Sequence, residues 1–292
     1  MQHPLIVAFV LVGVLISPAC SYGAETGELI ETFEEGWINW TNAVVAAQGI
    51  GAPLEKKTDE TEARKTALAA AYQNGWQNIL KVAERVRITS TFTVADLAAQ
   101  NDEIKTKLKD MARAAEVIKQ EYLSDGTVAV TLQLSLQGGF AQMMLPYDIE
   151  QIETIKAGTA NDQTVSGRAA PKATPDQVPD VYTGLVVDAR GLAVRPALAP
   201  TILDEKEQEV YGPGIVSREF AVQQGVSGYA RVLKVAQQTK RVLDAPLTVK
   251  ALRIREHESS DIVISNADAA KLRSSFEHLK LLKECRVVIV AD

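Results

Sequence analysis

The sequence contains few of the residues that build most metal and nucleophilic sites. Two of its 292 residues are cysteine and three are histidine, and they form neither a Cys-x-x-Cys nor a His-x-x-x-His pair. Zinc sites usually draw ligands from such pairs, so we expect no metal site and no cofactor. His257 and His278 are interpreted as structural. The Gly-x-Ser-x-Gly segment of α/β-hydrolases and the Gly-Lys-Ser/Thr sequence of the Walker motif are also absent. A Ser-His-Asp arrangement stays open because triads form in space.

Positive charge and aromatic side chains are scarce as well. The net charge is -6, and aromatic residues make up 5% of the chain. A general nucleic-acid binder needs clustered Lys and Arg to neutralise phosphates. No such cluster occurs, so we expect no nucleic-acid partner. Hydrophobic content of 46% and charged content of 23% are typical of a globular protein, and the length suffices for two modest domains.

The longest apolar run stands at the start of the chain. Leu5–Ile16 reads LIVAFVLVGVLI, which is shorter than the roughly 20 residues that span a bilayer and typical of the hydrophobic segment of a secretory signal peptide. Small residues follow as far as Ala24. We therefore predict a signal peptide over residues 1–24 and an exported protein. Met1–Pro4 carries no Lys or Arg, and an uncleaved N-terminal anchor is the alternative.

Each cysteine has its own interpretation. Cys20 ends the segment Ile16-Ser17-Pro18-Ala19-Cys20, which resembles a bacterial lipobox, where the cysteine is acylated and anchors the protein to a membrane. Ser17 stands where a lipobox usually has Leu, and ordinary cleavage near Ala24 would remove Cys20, so both alternatives stay open. Cys285 precedes an apolar stretch and is interpreted as a small buried residue. A Cys20–Cys285 disulfide requires an unacylated Cys20.

A first α+β domain is predicted over residues 26–155. Stretches rich in β-branched residues alternate with stretches that carry apolar residues at helical spacing. The predicted elements are a strand at Trp37–Gly51, a helix at Glu62–Arg85, a strand at Val86–Val94, a helix at Ile104–Ala114 and two strands at Glu116–Tyr122 and Thr127–Leu136. Asp125 and Gly126 join the last two, and Asp-Gly between alternating runs indicates a β-hairpin. We expect helices on one face of a mostly antiparallel sheet.

A linker and a second α+β domain are predicted to follow. Residues 156–180 are rich in Ala, Thr, Pro and Gly, a composition typical of a flexible linker. Residues 181–292 are predicted to fold with helices on another mostly antiparallel sheet. The predicted elements are strands at Tyr182–Val187, Leu247–Ile254, Asp261–Ser265 and Arg286–Val290, a hairpin at Thr201–Tyr211, and helices at Ser217–Gln224, Tyr229–Val242 and Ala267–Phe276.

The first domain resembles a known family. A Trp-containing strand ending in Gly49-Ile50-Gly51, a helix opened by Glu62-Ala63-Arg64, and Glu121-Tyr122 before Ser124-Asp125-Gly126 follow the order found in the LPP-twenty lipoprotein family. The segment Ile38–Leu136 is similar also to the N-terminal domain of flagellar assembly protein T. The resemblance implies a non-catalytic envelope module, in an outer-membrane lipoprotein or a periplasmic part of flagellar or surface machinery. It does not extend to the second domain.

Four side chains are candidates for binding a ligand or a partner. Asp188 and Arg190 stand two residues apart at the end of a predicted strand, so they point to the same side and can pair or hold a polar ligand. The alternative is an exposed turn pair that contributes under about 1 kcal/mol. Trp37 and Trp40 are candidate partner anchors, because tryptophan is enriched at interaction hot spots. The alternative for both is a place in the core.

Three functions stay open. The leading hypothesis is a non-catalytic structural or assembly protein of the bacterial cell envelope, periplasmic or lipid-anchored to the outer membrane at Cys20. Its partners would be envelope proteins, flagellar or surface-assembly components among them. The second hypothesis is a module that binds a cell-wall or surface polymer through Asp188 and Arg190. The third is a hydrolase that uses two carboxylates, as glycosidases do.

Overall fold

The computed structural model describes residues 27–53, 60–149, 182–256 and 259–292. The predicted signal peptide, Cys20, the predicted linker and His257 lie outside these residues. We call residues 27–53 and 60–149 the first half, and residues 182–256 and 259–292 the second half. Both contain helices and strands, and the predicted α+β class is confirmed. Within the described ranges, no helix combines the length and apolar character needed to cross a membrane.

The first half is built on a five-stranded antiparallel sheet in the order β1-β2-β3-β5-β4. Its elements are β1 Ile30–Thr32, β2 Gly36–Asn39, β3 Val44–Gly51, α1 Glu60–Glu84, α2 Val94–Gln100, α3 Asp102–Arg113, β4 Glu116–Tyr122, β5 Val128–Ser135 and α4 Gly139–Met144. The hairpin predicted around Asp125 and Gly126 is confirmed, since β4 and β5 pair antiparallel and Gly126 has a φ of 82°.

Two strand predictions in the first half are wrong. Trp37–Gly51 is not one strand, because the chain turns after β2 and Ala43 takes a φ of 52° in that turn. In Val86–Val94, only an isolated bridge joins Arg87 and Thr93. Thr93 and Asp96 form a capping box, each side chain accepting a hydrogen bond from the other's backbone N–H, and this box ends the extended segment by starting α2.

Close packing of α1 divides the sheet into two different faces. A Cβ added at Gly49 would lie 2.1 Å from the Ala71 carbonyl oxygen, and one at Gly51 would lie 2.0 Å from the Ala67 oxygen. Only glycine lets the strand approach the helix so closely. Because side chains alternate along a strand, Ile50 points to the opposite side, which we call the open face, and is 53% exposed.

The second half contains two sheets, β10-β6-β13-β9 and β11-β12-β7-β8. The elements are β6 Leu185–Asp188, β7 Ile202–Leu203, β8 Glu209–Tyr211, α5 Arg218–Gln224, β9 Gly228–Ala230, α6 Leu233–Gln237, β10 Leu247–Lys250, β11 Arg253–Ile254, β12 Ile262–Val263, α7 Asn266–Arg273, α8 Phe276–Lys283 and β13 Val287–Val290. The hairpin predicted at Thr201–Tyr211 is confirmed by the antiparallel pair β7–β8.

The prediction of a mostly antiparallel sheet is wrong for the second half. All three strand pairs of the sheet β10-β6-β13-β9 are parallel, and the other sheet is mixed. Val186 and Val288 pack against α6 on one face, while Val187 and Ile289 face the main core on the other. Strands that are covered on both faces have continuous apolar sequences. Such sequences do not show whether neighbouring strands run parallel or antiparallel.

Helix boundaries in the second half also differ from prediction. The helix predicted at Tyr229–Val242 is shorter at both ends, because its first residues belong to β9 and α6 already ends at Gln237. The helix predicted at Ala267–Phe276 ends earlier because Ser275 caps a further helix, α8, by accepting a hydrogen bond from the His278 backbone N–H. Each boundary depends on a cap or a strand pairing that the apolar spacing does not show.

The two halves share one hydrophobic core. The Leu198 backbone N–H donates to the Arg87 carbonyl oxygen at 2.9 Å. Arg218, which is 5% exposed, donates to the carbonyl oxygens of Gln142 and Pro146. The structure therefore joins the two predicted domains through buried contacts.

Candidate functional site

Asp188 and Arg190 form an ion pair at the carboxyl end of β6. Arg190 donates through Nε and Nη2 to the two carboxylate oxygens of Asp188, at 2.8 Å each. The Asp188 side chain is 18% exposed and that of Arg190 is 42% exposed. The structure brings the two predicted residues together, and their role in ligand binding stays a prediction.

The carboxyl ends of the parallel strands bring two more charges to this edge. Lys250 lies beside Asp188 in the register of β10 and β6, and the Asp292 carboxylate accepts a hydrogen bond from the Gly191 N–H. The hydrogen bond from Arg190 lowers the pKa of Asp188, and Lys250 adds to this effect. Ligands of open α/β sheets bind at such edges, but a polar ligand here would have to displace Arg190 from Asp188.

Trp40 lies in the core between the two halves and is 4% exposed. Its Nε1 donates to the Glu31 carboxylate at 3.1 Å, and the same carboxylate accepts a bond from Arg87 at 2.6 Å. The Trp40 ring meets the Tyr229 ring edge-on, with 5.8 Å between centroids. Trp40 is therefore a core residue, as the alternative interpretation predicted, and is not an exposed partner anchor.

Trp37 lies on the open face of the first sheet. It pairs with Thr32 of β1 and Ala46 of β3, while its neighbour Ile38 is fully buried on the α1 side. Trp37 itself is only half-buried. Part of the indole is therefore available to a partner that covers the open face.

Strand β4 is an exposed sheet edge whose position could not be inferred from the sequence. All seven of its residues are exposed, and Val117, Ile118 and Tyr122 are 39%, 48% and 56% exposed. The strand ends the sheet and pairs with β5 on one side, so its other side presents unpaired backbone N–H and C=O groups. Its apolar residues predict a strand but do not show that it lies at an edge.

Cys285 and His278 are buried. Burial raises the pKa of the Cys285 thiol to about 11, which leaves little thiolate for nucleophilic attack near neutral pH. His278 is 2% exposed, and its Nδ1 lies 2.9 Å from the Lys271 carbonyl oxygen. Across the described ranges, no three His, Cys, Asp or Glu side chains group as metal ligands. Both positions fit the structural roles predicted from the sequence.

Residues 184–292 match the family model described as Treponema pallidum Tp0624, second domain. The match covers the second half and lies outside Ile38–Leu136, so it gives no support to the predicted resemblance of that segment to the LPP-twenty family, which stays a prediction. No curated protein matches the chain. The second half is therefore similar to a domain family of a bacterial protein, whose description names no activity.

Proposed function

We propose that the chain is a non-catalytic protein of the bacterial cell envelope that acts through protein contacts, in the periplasm or at the outer membrane. The observation that carries this proposal is the exposed strand β4 at the edge of the sheet whose open face holds Trp37 on β2. The predicted leader and the resemblance to LPP-twenty lipoproteins support the location, with acylation of Cys20 as the route to a membrane anchor.

The partner is an extended segment of another envelope protein that adds a strand to β4. Main-chain hydrogen bonds supply affinity in such β-augmentation, and alternate side chains supply specificity. Lys119 is already paired with Glu121 at 2.9 Å, whereas Glu116 is exposed at the end of the strand. A Lys or Arg of the partner opposite Glu116, with apolar residues opposite Val117 and Ile118, would complement this edge.

Site-specific photo-crosslinking in the intact cell envelope tests the proposal. A photoreactive amino acid at Ile118 should give a protein adduct of defined mass, and the same group at Gln73, exposed on α1, should not. Flagellar or surface-assembly proteins in the adduct would support the assembly role. Equal adducts at both positions, or none at Ile118, would contradict strand addition. Retention of the chain by isolated peptidoglycan in place of a protein adduct would favour the polymer-binding hypothesis.

A further inference from the structure

A cavity of about 230 Å³ lies between the two halves. Its apolar lining includes Trp40 and Leu136 of the first half and Leu198, Tyr229 and Val235 of the second. Pockets for drug-sized ligands are larger, roughly 300–1,000 Å³. The cavity therefore suits a molecule with one small apolar body, such as a single ring.

Arg241 is the charged residue of the cavity wall. Its Nη1 donates to the carbonyl oxygens of Gly225 and Cys285 at 3.1 and 2.7 Å, and its Nη2 donates to the carbonyl oxygen of Gln224. A guanidinium has five N–H donors, so the Nε donor and one Nη2 donor remain without an acceptor among the described residues. These two form an edge of the guanidinium that matches a carboxylate in bidentate geometry.

Among the described residues, the hydrogen-bond acceptors of the Arg241 guanidinium are all neutral. Its three acceptors are backbone carbonyl oxygens. Burial lowers the pKa of Arg241, and within the described chain the groups that oppose this effect are Tyr211, Cys285 and Tyr229 rather than a carboxylate. Buried charges in proteins are usually paired, so an anion in the cavity would complete this site.

Ser227 supplies a second polar group to the same wall. Its hydroxyl oxygen is buried and lies near the Tyr229 hydroxyl, but it makes no hydrogen bond of normal geometry in the part of the chain that the structure describes. The next residue, Gly228, is so close to Arg241 that an added Cβ would lie 3.1 Å from the Arg241 Nε. Native proteins rarely leave buried polar atoms unsatisfied, and a ligand oxygen could satisfy this hydroxyl.

We propose that this cavity binds a small carboxylate with an apolar body, the carboxylate held by Arg241 and Ser227 and the body packed against Trp40 and Tyr229. A neutral or cationic analogue of the same shape would leave Arg241 without its counter-charge. The proposal does not rest on the proposed function, since none of these residues belongs to β4 or to the open face.

Fluorine NMR of the full chain labelled with 5-fluorotryptophan tests the proposal, with phenylacetate, phenylacetamide and phenethylamine as probes. The three tryptophan signals are assigned by single substitutions to Phe. Phenylacetate should shift the Trp40 signal saturably and leave those of Trp37 and Trp76 in place. Phenylacetamide and phenethylamine should bind at least about tenfold more weakly, because hydrogen bonds to charged groups are stronger than neutral ones.

Three variants separate the site from general electrostatics. Arg241→Lys and Ser227→Ala should each weaken phenylacetate binding, whereas Arg231→Ala, which removes an exposed positive charge, should not. Ser227→Ala removes a hydroxyl that makes no hydrogen bond of normal geometry to the described residues, so it keeps the test decisive if Arg241→Lys fails to fold. Equal binding of phenylacetate and phenylacetamide, no saturable shift at Trp40, or equal losses in the Arg231 and Ser227 variants would overturn the proposal.

Discussion

The antiparallel sheet of the first half and the parallel sheet of the second half are buried in different ways. In the first half, α1 covers one face of an antiparallel sheet, and the other face leaves Trp37 half-buried and Ile50 exposed. In the second half, α6 and the main core cover both faces of a parallel sheet. Parallel sheets occur almost only with both faces covered, whereas antiparallel sheets tolerate one exposed face. Between these two sheets, and among the residues that the structure describes, the accessible face therefore lies in the first half.

The strongest test of this comparison removes the glycine that lets α1 approach the sheet. In Gly49→Val, the new Cβ would lie 2.1 Å from the Ala71 carbonyl oxygen and 2.2 Å from the Gly75 nitrogen, so α1 cannot dock. We expect a loss of more than about 4–5 kcal/mol in the free energy of unfolding, which is exceptional for one substitution. Urea unfolding followed by circular dichroism measures it.

The adjacent residue on the open face serves as the control for Gly49→Val. Ile50→Val changes a side chain that is 53% exposed, and surface substitutions usually change stability by less than about 0.5 kcal/mol. A small effect of Gly49→Val, or a large effect of Ile50→Val, would show that the two faces are assigned the wrong way round.

The next largest effect is expected at the junction of the halves. Trp40→Ala removes a ring that is 4% exposed and packs on Tyr229, and it leaves the Glu31–Arg87 pair without the indole. Truncating a buried Trp costs about 3–5 kcal/mol. Trp37→Ala, at the half-buried position on the open face, should cost clearly less in the same unfolding experiment. Equal losses would mean that the open face is covered in solution.

Features of the fold that depend on neighbouring residues can be predicted from the sequence better than features that depend on segments far apart in the chain. Asp125-Gly126 specifies the hairpin, and the apolar stripe of α1 specifies a helix, because both depend on neighbours in the chain. The turn at Ala43 carries no glycine, and the direction of the strands in the second half depends on pairing between distant segments. The ion pair of Asp188 and Arg190 was predictable from their spacing, whereas the cavity at Arg241 requires both halves to be folded.

A smaller effect is expected at the hairpin turn that joins the edge strand β4 to β5. Gly126 has a φ of 82°, and an added Cβ would lie 3.2 Å from Pro53 Cγ. A β-branched residue is strained in this conformation, so Gly126→Val should lower the free energy of unfolding by about 1–3 kcal/mol. Gly126→Asn is the control, because Asn tolerates the left-handed region, and its melting temperature should stay nearer to that of the wild type.

The smallest effect is expected at Asp188 and Arg190, at the carboxyl end of β6 in the parallel sheet of the second half. Because the hydrogen bond from Arg190 lowers the pKa of Asp188, ionised Asp188 stabilises the fold above its unfolded pKa of about 3.9, and this contribution is lost as the pH falls through the lower, folded pKa. Asp188→Asn should therefore be less stable than the wild type at pH 7, by under about 1 kcal/mol given the exposure of Arg190. The gap should close below the folded pKa. Urea unfolding of both proteins across this pH range measures it, and a gap that persists in acid would show that Asp188 acts through something other than its charge.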